Sequence, residues 1–160
     1  MTMAEGSQDF REYDSFDELD NESKNLIKKA EEALELSYSP YSNFQVGAAA
    51  LLKNGDIIKG ANQENASFPA GLCAERVVLF QIGAIAPKEE IIKLAVLARK
   101  SGETSFRGAG PCGFCRQVML EFEQKQHEKM EVIFLAKNQK WIKTESATVL
   151  LPFAFGKDNL

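Results

Sequence analysis

Pro111-Cys112-Gly113-Phe114-Cys115-Arg116-Gln117 holds two cysteines at C-x-x-C spacing, directly ahead of an amphipathic run. From Gly113 to Gln126, Val118, Met119 and Phe122 recur at helical spacing, which predicts a helix with one inward face. Glu131 to Ala136 beyond it reads as a buried strand, Trp141-Ile142 as a short last strand, and Ala147 to Leu151 as a final helical turn. On the N-terminal side, Ser101 to Gly110 is a Gly-rich loop. Ile91 to Arg99 is almost entirely apolar, the pattern of a strand covered on both faces. Leu72 to Ile85 predicts a buried helix. Phe44 to Lys53 and Asp56 to Ala61 flank Asn54-Gly55, a strong hairpin signal. Residues 21–36 place Leu26, Ile27, Ala30, Ala33 and Leu34 on one helical face, with Glu and Lys on the other. Helices alternating with strands predict an α/β layered sandwich, with helices covering a mixed sheet. Residues 1–19 are dominated by Asp9, Glu12, Asp14, Asp17 and Glu18, and read as a loose acidic tail ahead of one domain over 20–160.

The bulk composition bounds the function. At 160 residues the chain suits a single domain with a real core. Its net charge is -4 and its pI about 5.2. Nucleic-acid binders usually present a basic face, because phosphate contacts carry much of their affinity, so a small substrate is expected here. No apolar run approaches a membrane span, and the polar N-terminus has no signal-peptide pattern. A cytoplasmic protein is expected.

Three cysteines cannot form a complete disulfide framework. Zinc accepts Cys, His, Asp or Glu ligands, and a catalytic site keeps one of four positions open. Cys112 and Cys115 come from one helix start and Cys73 from another. A helix N-terminus carries positive partial charge, which lowers a thiol pKa and favours the thiolate that zinc requires. A closed four-ligand site would need His127, the lone histidine. Twelve residues of helix beyond Cys115 would carry it about 18 Å away along the axis. Three plain buried cysteines are the other alternative.

Glu75 follows Cys73 by two residues, in Cys73-Ala74-Glu75-Arg76. It stays in the first helical turn and can face an open coordination position without ligating the metal. A first-turn Glu favoured by the helix dipole is the simpler reading of such a residue taken alone. The arrangement matches the zinc-deaminase signature H-x-E…P-C-x-x-C, with Cys in place of His and a non-ligating Glu as general acid/base.

The chain resembles the cytidine deaminases of the small, three-cysteine zinc type. The resemblance rests on Tyr38-Ser39-Pro40-Tyr41-Ser42-Asn43-Phe44-Gln45-Val46-Gly47-Ala48-Ala49, on Gly60 to Arg76, on Pro111 to Gln117, and on Leu150-Leu151-Pro152-Phe153-Ala154-Phe155. It covers the chain from about Ser37 to the C-terminus. It implies a three-layer α/β/α sandwich on a mixed five-stranded sheet, and one zinc per subunit held by Cys73, Cys112 and Cys115. The implied reaction is hydrolytic deamination of cytidine and deoxycytidine to uridine and deoxyuridine plus ammonia, by zinc-activated water with Glu75 as proton shuttle, in pyrimidine salvage. Substrate binding is implied for Phe44, Asn62, Glu64, Ala74 and Phe155. Of these, Asn62 and Glu64 match the pair that holds the ribose hydroxyls. Phe44 matches the aromatic near the base, and Phe155 one that reaches a neighbouring subunit's site in a homotetramer with shared active sites. Arg76 is implied to hydrogen-bond the cysteine sulfurs, offsetting the charge of three thiolates. Phe68 stands where many relatives carry Tyr, so the ring is kept and the hydroxyl lost.

Taken without the resemblance, Asn62 also fits turn chemistry, Phe44 a core strand position and Arg76 a surface ion pair. Three rival functions stand beside the main one. They are a deaminase of another aminopyrimidine such as the blasticidin S type, an editing deaminase acting on RNA or DNA, and a non-catalytic zinc-stabilised interaction domain.

Overall fold

A computed structural model describes residues 9–160. Its elements run β1 (Phe10–Tyr13), α1 (Asn21–Ala33), β2 (Phe44–Leu52), β3 (Ile57–Ala61), α2 (Ala74–Ile85), β4 (Ile91–Lys100), β5 (Phe106–Arg107), α3 (Gly113–Gln126), β6 (Glu131–Leu135) and β7 (Trp141–Thr144). Helix α1 starts where the Asp20 side chain accepts the Ser23 N–H at 2.8 Å, satisfying one donor that the first turn leaves open. Asn54-Gly55 turns the β2–β3 hairpin, with Gly55 at a φ of 92° that a side chain would oppose.

The strands form one mixed sheet in the order β1-β7-β6-β4-β2-β3, with β5 on β4. β4 is central. It pairs antiparallel with β2 and parallel with β6, and α3 lies in the crossover between β4 and β6. Alternation along the strands divides the core in two. Ala48, Ala50 and Leu52 face a cluster with Val78, Leu79 and Ile82 of α2 and Met119 of α3. Ala49 and Leu51 face the other way, toward Leu26, Ile27 and Ala30 of α1. The result is the α/β/α sandwich expected, with α1 on one face and α2 and α3 on the other. Helix α1 approaches β2 so closely that a Cβ on Gly47 would lie 2.1 Å from the Ala30 carbonyl oxygen.

The sheet has seven strands, two more than expected. One extra strand, β5, lies in the loop read as Gly-rich and pairs Arg107 with Ala98. The other, β1, lies in the segment read as a loose tail. Phe10–Tyr13 pairs antiparallel with β7, and the Phe16 ring sits 5.9 Å from that of Trp141. Residues 10–13 are therefore sheet, with the ladder to β7 and the Phe16 contact holding them; residues 1–8 of the expected tail lie outside the described residues. Among the described residues no helix is long and apolar enough to cross a membrane.

Candidate active site

Cys73 is the N-cap residue of α2 and Cys112 that of α3, with Cys115 one turn further in. The two helices lie on one face of the sheet and bring their first turns together. The three Sγ atoms lie within 4.8 Å of one another, Cys112 at 3.8 Å from Cys73 and 3.5 Å from Cys115. Zn–S bonds of about 2.3 Å at tetrahedral angles put sulfurs about 3.8 Å apart, so the cluster has the size of a zinc site. Its electrostatics point the same way. The Cys73 thiol is pulled down to about 5, first by its hydrogen bond with Cys115 and, against burial, by Arg76 and Cys112. Cys115 is pushed far up by that same hydrogen bond, by burial and by the negative charges of Glu75 and Cys73. Three thiolates this close would repel one another, and a divalent cation bound among them would offset that repulsion.

Arg76 supplies part of that compensation. Its Nη2 donates to Cys73 Sγ at 3.6 Å, and its guanidinium lies 5.7 Å over the Phe114 ring. Glu75 is 4% exposed, and its Oε2 is buried with no hydrogen-bond partner. Burial pushes its carboxyl up to about 7, the negative Cys73 adds to this, and a hydrogen bond with its own backbone N–H opposes it. An orphaned carboxylate oxygen beside a thiolate cluster is costly unless something is meant to meet it. His127 caps the far end of α3 in a left-handed conformation and is exposed, so it closes no fourth position.

A cleft of about 800 Å³ opens beside the cluster, lined by Cys73, Glu75, Arg76 and Cys112 together with Phe44, Asn62 and Glu64. Asn62 and Glu64 follow β3 on a loop stitched at two points. Tyr38 exchanges backbone hydrogen bonds with Asn62 and Glu64, and Gln63 with Leu72, next to Cys73. Asn62 is nearly buried. Its Oδ1 accepts from Ser37 Oγ and the Val46 N–H, and its Nδ2 donates to the Phe44 carbonyl. The structure thus gathers six separated positions, 44, 62, 64, 73, 75 and 112, around one cleft, with Cys115 behind it.

Ala74 and Phe155 are not among the residues lining this chain's own cleft, and for Phe155 the expectation concerns a neighbouring subunit's site. Ala74 is fully buried in the core cluster between the sheet and α2. Phe155 is 59% exposed, and its carbonyl accepts from Nε2 of Gln117 in α3. Phe68 lines the cleft, with its ring edge-on to Tyr41 at 5.7 Å. Ser42 lines the cleft as well and was not singled out from the sequence. Its signal there was weak, since a serine after Pro40-Tyr41 reads as turn chemistry alone.

With this geometry in hand, the likeness to known proteins is specific. The family model for the cytidine and deoxycytidylate deaminase zinc-binding region matches residues 20–134. The chain belongs to the cytidine and deoxycytidylate deaminase family. Within that deaminase family it is 40% identical over 135 residues to a cytidine deaminase of Halalkalibacterium halodurans, covering 84% of this chain and 95% of the relative. It is 37% identical over 137 residues to one from Mycobacterium tuberculosis, covering 85% and 92%. The crystal structure of cytidine deaminase from Burkholderia pseudomallei superimposes with a TM-score of 0.69 at 38% identity, over 82% of this chain and 97% of that one. The Mycobacterium tuberculosis crystal structure gives 0.66 at 31% identity, over 86% and 99%. The chain is an enzyme of the deaminase family, and its three-cysteine cluster fits one zinc per chain.

Proposed function

We propose that the chain converts cytidine and deoxycytidine to the corresponding uridines and ammonia, with Cys73, Cys112 and Cys115 as zinc ligands and Glu75 as the proton shuttle. The observation that carries this reading is the buried Glu75 carboxylate, with an orphaned Oε2, beside a three-cysteine cluster on an open cleft. Bound zinc supplies Lewis acidity that makes water a nucleophile near neutral pH. Glu75 accepts a proton from the attacking water and delivers it to N3 of the cytosine ring. It then takes the second proton from the new C4 hydroxyl and passes it to the departing amine, which leaves C4 as a carbonyl, so water and cytidine become uridine and ammonia. A carboxyl raised to about 7 by burial suits a group that must both take and give a proton. Arg76 offsets thiolate charge, and Phe44 packs against the base. Asn62 and Glu64 hold the sugar.

The cleft's charge favours a nucleoside over a nucleotide. The charged groups lining it are Glu64, Glu75 and Arg76, and Arg76 is committed to Cys73 and Phe114. A 5′-phosphate calls for free cations, and this wall offers none. Phe153, Phe155 and Phe114 are strongly exposed, which supports a homotetramer in which Phe155 reaches a neighbour's cleft. The deaminase unit in this reading spans 20–160 and serves pyrimidine salvage in the cytoplasm.

The test is turnover by zinc-loaded protein on cytidine, deoxycytidine, deoxycytidylate and blasticidin S, followed by the loss of absorbance as the amine leaves. Activity on the two nucleosides and little on the nucleotide is expected. Preference for blasticidin S would move the substrate to another aminopyrimidine, and no turnover by any of them would leave a structural zinc domain.

A further inference from the structure

We infer that Ser42 is a positioning residue that fixes the Glu64 carboxylate for the substrate's sugar and leaves it a single free acceptor site. The inference rests on the reading that Glu64 faces the sugar.

Glu64 reaches back 22 residues to the turn after Pro40. Its Oε2 accepts the backbone N–H groups of Tyr41 at 2.9 Å and Ser42 at 3.2 Å. Its Oε1 accepts the Ser42 hydroxyl at 2.5 Å. The same Oγ accepts the Phe44 N–H at 3.0 Å. Ser42 therefore has its proton committed to Glu64 and a lone pair committed to the strand that carries Phe44. Its hydroxyl cannot turn away without losing both bonds. The turn is itself constrained, since Asn43 sits at a φ of 54° with its N–H on the Ser39 carbonyl. The hydrogen bond from Ser42 is also the main reason the Glu64 carboxyl is held below the ordinary carboxylate range, so Glu64 meets a ligand as a fixed anion.

Counting acceptors sharpens this. A carboxylate offers about four lone-pair directions, and three are taken by Tyr41 and Ser42. Asn62 has both roles of Oδ1 filled and one Nδ2 hydrogen on Phe44, which leaves one donor. One acceptor on Glu64 and one donor on Asn62 are the requirement of one hydroxyl, not of a diol. Without the Ser42 hydroxyl, Glu64 Oε1 gains a second free direction and loses the contact that aims it, so the selection among hydroxyls should relax.

The experiment measures kcat/KM for cytidine, 2′-deoxycytidine and 3′-deoxycytidine with the zinc-loaded full chain, for the parent, Ser42→Ala and Ser42→Thr. In the parent, one hydroxyl deletion should cost on the order of tenfold to a hundredfold, the range of a hydrogen bond to a charged group, and the other less than about threefold. Ser42→Ala should compress the larger ratio to a few-fold, and Ser42→Thr, which keeps the hydroxyl, should restore it. The ratio is taken within one variant, so it does not depend on how much protein folds, and a general loss of structure would not move it. An unchanged ratio in Ser42→Ala, or equal losses for both deletions in the parent, would overturn the inference. Indifference of the parent to both deletions would remove Glu64 from the sugar altogether, which is a failure of the underlying reading and separable from the other two outcomes.

Discussion

The Nη2 of Arg76 lies 3.6 Å from the Sγ of Cys73, three residues earlier, with the guanidinium lying over Phe114. One turn of helix thus sets a permanent cation against the Cys73 thiol, whose pKa it helps to lower. Three thiolates and one divalent zinc leave a net charge of about -1, which would blunt the metal's Lewis acidity. A hydrogen-bonded guanidinium withdraws part of that charge, as metal-site outer shells do. Arg76→Gln should lower kcat and speed zinc release, each by about tenfold or more. Stopped-flow zinc transfer to a chromogenic chelator, beside steady-state kinetics, checks both. Unchanged kcat and unchanged release would reduce Arg76 to a surface cation.

Glu123, two turns along α3 from Cys115, is 8% exposed and has no cation among its hydrogen-bond partners. Its carboxylate accepts from the hydroxyls of Ser146 and Thr148 and from the backbone N–H groups of Met130, Ala147 and Thr148. Burial alone would raise its pKa, but these donors outweigh burial and hold it below the ordinary carboxylate range. A group depressed in the folded state stabilises above its unfolded pKa, and that contribution disappears as pH falls through the folded value. Glu123→Gln should cost about 2 kcal/mol at pH 7. The gap to the parent should narrow below about pH 4.5, as Glu123 of the unfolded chain, and at lower pH that of the folded chain, takes up a proton. Urea unfolding at a series of pH values reads the difference; a gap independent of pH would assign the loss to packing.

Strand β1 and Phe16 precede the region matched by the family model, and their partners in β7, Trp141 among them, follow it. They cover the sheet edge that β7 would otherwise present, and unpaired edges invite pairing with other chains. Phe16→Ala should lower stability by about 1–2 kcal/mol, as expected of a half-buried aromatic. It should leave kcat/KM on cytidine unaltered, because the cleft lies at the ends of α2 and α3. A matching loss of activity would tie the N-terminal segment to the site.

Much of this arrangement was legible from residue order. The thiols could be placed because each lies at the start of an apolar helical pattern, and a helix start fixes both the position and the electrostatics of its first residues. The β2–β3 hairpin followed from Asn54-Gly55, and β4 and β6 from their continuous apolar runs. β1 gave no such signal. Phe-Arg-Glu-Tyr is exposed along most of its length, so no alternation marks it, and pairing with β7 alone makes it a strand. The roles of Ser42 and Glu123 were hidden for a related reason. Their partners lie some twenty residues away, and only folding brings a carboxylate to those donors. The seating of Phe155 against Gln117 is likewise set by the fold of the C-terminal segment along α3, which periodicity does not encode.

The most direct measurement is deamination of cytidine by the parent and by Glu75→Ala, each verified to hold one zinc per chain by metal analysis. The account predicts turnover in the parent and a loss of about a hundredfold to ten-thousandfold in the variant with zinc retained, the range for removing a positioned acid/base. Turnover in the zinc-replete variant equal to the parent's would contradict the assignment of Glu75 as the group that moves the proton.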